Sequence, residues 1–263
     1  MSQPSCSSRA ARVWPSARSA RYYELTLFSP GPDTRRVAED TMAETAKSVF
    51  LIVSALFPIV DPLGGSPIFL TLTNQYPSEA RRALARRIAV NSFFLLVGSY
   101  LTGTHVLAFF GISLPVVQVG GGAVLIASGW SMLNRQDDQE RAEGRPKVRP
   151  SDPLRHAFYP LTFPLTVGPG SISVAITLGA NAPSHAGLHL SPILAAIAGS
   201  FLIAVSILLC YGSAERLARV LGPTAMTVIM QLSAFLLVCI GVQILWNGAS
   251  ALLTAALNVR PAA

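Results

Sequence analysis

The residues best placed to do chemistry are a carboxylate and a set of helix breakers set in an apolar run. Residues 49–72 read VFLIVSALFPIVDPLGGSPIFLTL, with Asp61, three prolines (Pro58, Pro62, Pro67) and two glycines (Gly64, Gly65) in the middle. A carboxylate at mid-depth in a bilayer costs several kcal/mol unless it faces a polar cavity. Broken backbone is tolerated there only where protein or a water-filled cavity covers it. Asp61 followed by Pro62 reads as an N-cap and a first helical position, so a second half-helix is expected to begin inside the membrane. Further along, Pro164 and Gly168-Pro169-Gly170-Ser171 interrupt another apolar run. Each half-helix presents unpaired N–H groups and about half a positive charge at its start. Asp61 can cap and neutralise the first end. No carboxylate stands near the second in sequence, which leaves that end open to an anion, and Ser171 adds a hydroxyl. Together they suit a zwitterion, with its ammonium on Asp61 and its carboxylate on the backbone amides around 168–171. The plainer alternatives are that Asp61 only caps the break, that it holds a proton or cation, and that 168–170 is only a kink or a point of close helix packing. Pro58, Pro67 and Pro164 are assigned to the structure of the breaks.

The elements that must position these residues are apolar spans. The chain has 263 residues, 51% hydrophobic and 13% charged, with mean hydropathy +0.48. A soluble domain carries about 25% charged residues, so the sequence predicts an all-α, polytopic membrane protein. Six spans are expected near 48–72, 89–110, 114–133, 158–180, 191–211 and 227–254, each close to the ~20 residues a bilayer needs. Loops 73–88, 134–157 and 212–226 hold twelve Lys and Arg, from Arg81 to Arg219; loops 111–113 and 181–190 hold none. That asymmetry predicts cytoplasmic basic loops and outward-facing termini. It also explains the net charge of +7 without a nucleic-acid partner.

Residues 1–41 differ from the rest. They are rich in Ser, Arg and Pro, without an apolar period, and are expected to be disordered. Their arginines would lie on the wrong side of the membrane, and Met42 makes a natural start. The domain plan is therefore an extension (1–41), a first three-span repeat (42–133), a charged cytoplasmic connector (134–157) and a second repeat (158–263).

The repeat itself rests on matched residues. Phe57-Pro58-Ile59 parallels Phe163-Pro164-Leu165, and Pro62-Leu63-Gly64 parallels Pro169-Gly170-Ser171. At a constant offset of 113, Gln118 matches Gln231 and Asn134 matches Asn247. Two halves with an odd number of spans must insert upside down to one another, an architecture of transporters. Gln118 and Gln231 are assigned to helix packing ahead of solute contact. Gly120-Gly121-Gly122, with Ala123 and Ala127, offers a small face for close helix approach; it would serve a homo-oligomer as well as a monomer's interior.

The pattern Asp61-Pro62-x-Gly64-x-x-Pro67-x-Phe69, with Pro164 and Gly168-Pro169-Gly170 in the fourth span, resembles the MarC family of bacterial inner-membrane proteins. The resemblance runs from about Met42 to the C-terminus. It implies a multi-pass inner-membrane protein related to amino-acid exporters of the lysine-exporter type, some members being linked to small neutral amino acids. The family usually has Asn where this chain has Gly65, which removes a side-chain donor and acceptor beside the break.

No catalytic residues are expected. The sequence has no phosphate-binding glycine loop, paired catalytic carboxylates, zinc motif or nucleophile elbow. No cofactor or metal is expected either: the three cysteines and four histidines show no ligand spacing. The leading expectation is a secondary carrier of small polar solutes such as neutral amino acids, coupled to H+ or Na+. A non-transporting membrane scaffold and an ion channel are the alternatives. An intramembrane enzyme ranks last.

Overall fold

The computed structural model describes residues 34–134, 157–182 and 190–258, and among them every regular element is helical. In order these are α1 (Thr34–Val60), α2 (Pro62–Leu72), α3 (Ser78–Phe110), α4 (Leu114–Leu133), α5 (Ala157–Thr166), α6 (Pro169–Ala180), α7 (Leu190–Gly212) and α8 (Ala214–Asn258). Among the described residues five spans are long and apolar enough to cross a membrane; α5 and α6, bent by 67°, make a sixth if the pair is one span. Large apolar side chains such as Phe50, Phe94, Phe109, Phe201 and Phe235 are exposed, as lipid-facing residues are.

Ala43–Ala263 forms a compact unit that holds the packed helices and both breaks. The expected disorder of 1–41 meets a helix that begins at Thr34. From there the sequence TRRVAEDTMAETAK has no Gly or Pro and is rich in helix formers. Residues 1–33 and most of the connector 134–157 lie outside the described residues.

Two of the expected basic loops are largely helix. α3 begins at Ser78, so Arg81, Arg82, Arg86 and Arg87 ride its first turns. Leu84, Ala85, Ile88 and Ala89 are buried on the opposite face; the 3.6-residue period that a polar composition disguised is what forms the helix. Likewise Arg216 and Arg219 sit on α8, whose backbone turns at Gly222 (φ 73°) before the apolar part begins. Arg81 of the first half pairs with Glu215 of the second. Glu215 is 43% exposed, so water screens the pair. Glu215→Gln should cost no more than about 1 kcal/mol in unfolding free energy, measured by chemical unfolding in detergent.

The packing order places the breaks at the centre. α4 lies along α8, with α2 and α6 wedged against that pair and α3 against α7. Gly122 meets Gly241 and Leu245, Gly129 meets Ala234 and Val238, and Gly248 meets Pro115 and Val119. The partners run in opposite directions over more than three turns, so α4 and α8 are antiparallel. By contrast, Thr45 hydrogen-bonds Ser191 at 2.9 Å, Ile52 packs on Gly199, and Gly65 abuts Tyr211. These partners advance together, so α1–α2 runs parallel to α7.

Candidate functional site

Asp61 is the single residue between α1 and α2. It takes a left-handed conformation (φ 45°, ψ 64°), which Asp tolerates better than most side chains. Hydrogen bonding continues across it: its N–H donates to Phe57 at 3.0 Å and its carbonyl accepts from Gly65 at 2.9 Å. The interruption is therefore a one-residue wrinkle in an otherwise continuous span. Asp61 Oδ1 accepts from the Gly64 N–H at 3.0 Å, the expected N-cap. Its Oδ2 is buried with no partner at good hydrogen-bond geometry, and Ser233 of α8 stands close enough to act on the carboxylate. Gly64 is required, because a Cβ there would run into the carboxylate and Ser233.

The second break is wider. The backbone is extended at Tyr159 and Phe163, and the peptides before Pro160 and Pro164 are cis. Pro164 thus belongs to an irregular stretch, not to a kinked α-helix, and Pro160 joins it unforeseen. Wide-spaced bonds hold this stretch: the Val167 N–H donates to Thr162 at 2.8 Å, and the Thr162 and Thr166 hydroxyls reach back to the Ala157 and Leu161 carbonyls. Gly168 caps α6 in extended conformation with no side-chain hydrogen bond to the helix end. The Gly170 and Ser171 amides occupy the first turn, where a helix supplies no acceptor. The Ser171 hydroxyl donates to the Gly168 carbonyl at 3.1 Å, so it stiffens the turn.

One cavity of about 520 Å³ brings the two breaks together. Its wall includes Asp61 and Gly65 from the first break, and Pro164, Thr166, Gly168, Pro169, Gly170 and Ser171 from the second. Asp61 and an uncapped helix start thus line one space. Pro62 and Gly64 are buried behind Asp61 and form no part of the wall. Pro58 and Gln118 line a separate hollow, and Pro67 and Gln231 a third.

Residues that sequence reasoning passed over also shape the site, two of them in the cavity wall and one behind it. Ser128 and Ser131 of α4 bring two hydroxyls to the cavity; their spacing of three along a helix was the available signal. Tyr211 is the less readable one. It is 3% exposed, stacks on Phe69 with centroids 4.7 Å apart, and its hydroxyl lies 3.1 Å from Thr166 Oγ1. Because the Thr166 hydroxyl already donates to Leu161, the tyrosine is the donor. A Cβ at Gly65 would come within 2.6 Å of that hydroxyl, so Tyr211 ties the first break to the second. Tyr211→Phe should cost about 1 kcal/mol, seen as a lower thermal unfolding midpoint in detergent. Among the described residues no three His, Cys, Asp or Glu side chains come together to hold a metal.

A family model described as MarC family integral membrane protein matches residues 46–253. The chain is 30% identical over 213 residues to the inner membrane protein MarC of Salmonella typhimurium, covering 79% of this chain and 96% of that protein. A membrane protein of Methanocaldococcus jannaschii is 30% identical over 206 residues, 75% of this chain and 94% of the relative. The membrane protein YvbG of Bacillus subtilis is 30% identical over 196 residues, 74% and 90% of the two chains. No solved structure matches.

Proposed function

The chain belongs to the MarC family of integral membrane proteins, and from that premise we propose that it is a secondary carrier of small zwitterionic solutes, neutral amino acids above all. The observation that carries this is the shared cavity, with the Asp61 carboxylate in one break and an uncapped helix start in the other. The solute ammonium sits against the Asp61 carboxylate, and its carboxylate takes the Gly170 and Ser171 amides, as anions do at helix starts. Ser128 and Ser131 offer further hydroxyls. A volume of about 520 Å³ suits a solute of a few heavy atoms with some water. The bilayer is its solvent, and a gradient of H+ or Na+ drives it; nucleic acid has no part.

Carriers with a central site are commonly built from two inverted halves, and the packing supports that plan. α4 pairs with α8 and α3 with α7, while α2 lies against α8 as α6 lies against α4. The directions of the pairs support six spans. An antiparallel α4 and α8, and an α1 parallel to α7, both follow only if α5–α6 crosses from one side to the other. The basic segments of α3 and α8 then share a side with the connector 134–157, the cytoplasmic one, and both termini face outward, in an inner membrane like that for which the Salmonella relative is named.

Counterflow in proteoliposomes tests the proposal. Vesicles loaded with an unlabelled neutral amino acid should accumulate the labelled solute transiently, with saturation. Flux that rises without saturation would mark a channel. No flux across the amino-acid panel, with or without proton and sodium gradients, would favour a non-transporting scaffold.

A further inference from the structure

We infer that Ile59 and Ile68 are the two gates of a path running along one face of α1 and α2, an inference that rests on the carrier reading above. Three hollows lie in series on that face. The first, about 260 Å³, is walled by Ser54, Pro58 and Ile59 of α1 with Gln118 and Asn247. The second is the cavity of the two breaks. The third, about 270 Å³, is walled by Pro67, Ile68 and Thr71 of α2 with Met132 and Gln231. Ile59 belongs to the walls of the first and second hollows, and Ile68, with Met132, to those of the second and third. Both isoleucines are buried, at 7% and 8% exposure. Nine residues apart, they are separated by about 13 Å along the helical rise, with Asp61 and Gly65 between them. An apolar side chain at a narrow point closes a path by excluding water.

The matched residues strengthen the assignment. Gln118 and Gln231, equivalent at the offset of 113, stand one in the first hollow and one in the third. The outer hollows are thus counterparts in the two halves. A carrier needs such a pair, one open at a time, with the solute held between.

The test needs no solute. Cys6, Cys210 and Cys239 are replaced by Ser, and single cysteines are placed by Ser54→Cys, Ser128→Cys and Thr71→Cys. A charged, membrane-impermeant thiol reagent is applied to right-side-out and inverted vesicles. Ser54→Cys should label from one face and Thr71→Cys from the other, with Ser128→Cys slow from both. Ile59→Ala should speed labelling of Ser128→Cys severalfold from the Ser54 face only, and Ile68→Ala from the Thr71 face only. Ile→Val variants should act in the same direction more weakly, and one-sided labelling of the end positions shows that each variant is folded. Rapid labelling of Ser128→Cys in the parent, or a gate variant that leaves its rate unchanged or raises it from both faces, overturns the inference. Absence of counterflow would sink the carrier reading while leaving the labelling pattern to stand or fall separately.

Discussion

Gly122→Leu should abolish the folded protein, whereas Gly120→Leu, two residues away, should be tolerated. At Gly122 a Cβ would lie 2.6 Å from both the Gly241 carbonyl oxygen and the Leu245 nitrogen, and 2.8 Å from the Leu245 Cβ. The reverse holds too, a Cβ at Gly241 falling 2.9 Å from the Gly122 oxygen. Backbone meets backbone here, so no rotamer change makes room and the two helices must separate. At Gly120 nothing stands within 4 Å. Ordinary overpacking costs about 1–3 kcal/mol because side chains can shift; with backbone on both sides the cost exceeds that range. Helix association in lipid depends on such close contact, since apolar side chains gain little by leaving lipid for protein. Gly122→Ala should be intermediate. Size-exclusion profiles and thermal unfolding in detergent check all three. Equal behaviour of Gly120→Leu and Gly122→Leu would mean that α4 and α8 do not meet as described.

That contrast also shows what a sequence conceals. The run Gly120-Gly121-Gly122 reads as a single small face, yet the three glycines point three ways: one to open space, Gly121 to Ser173 of α6, and Gly122 to α8. Successive helical positions lie about 100° apart, so a run without spacing cannot name its partner. The heptad spacing of Gly122 with Gly129, and of Gly241 with Gly248, carries the pairing. The breaks at Asp61 and Gly168 are legible because Pro and Gly limit backbone locally, and their positions agree with the structure. The arginine-bearing segments read as loops because charge masks the buried period of Leu84, Ala85 and Ile88. Tyr211 is hidden for a different reason. Its role arises from a contact far away in the chain, at Gly65, where the tyrosine hydroxyl fills the space that a side chain would take.

Asp61→Asn should keep the fold and weaken solute binding roughly ten- to a hundredfold. An Asn carbonyl can still accept the Gly64 N–H that Oδ1 takes at 3.0 Å, and Asn tolerates a φ of 45°. The cap therefore survives, and the unfolding midpoint should barely move. What disappears is the negative charge of a carboxylate whose Oδ2 is buried without a well-formed hydrogen bond. A hydrogen bond to a charged group is worth about 1.5–3 kcal/mol, and each 1.4 kcal/mol is about a factor of ten in affinity. Asp61→Ala removes cap and charge together; its further loss of stability, about 0.5–2 kcal/mol, gives the cap's share separately. Binding can be followed by isothermal titration in detergent and exchange by counterflow. A deaminated analogue of the solute supplies the decisive comparison. It has no ammonium to lose, and Asp61→Asn removes a like charge from its site, so the substitution should not weaken its binding. If the zwitterion binds both proteins equally, the carboxylate is a helix cap and the cavity recognises its solute by other groups.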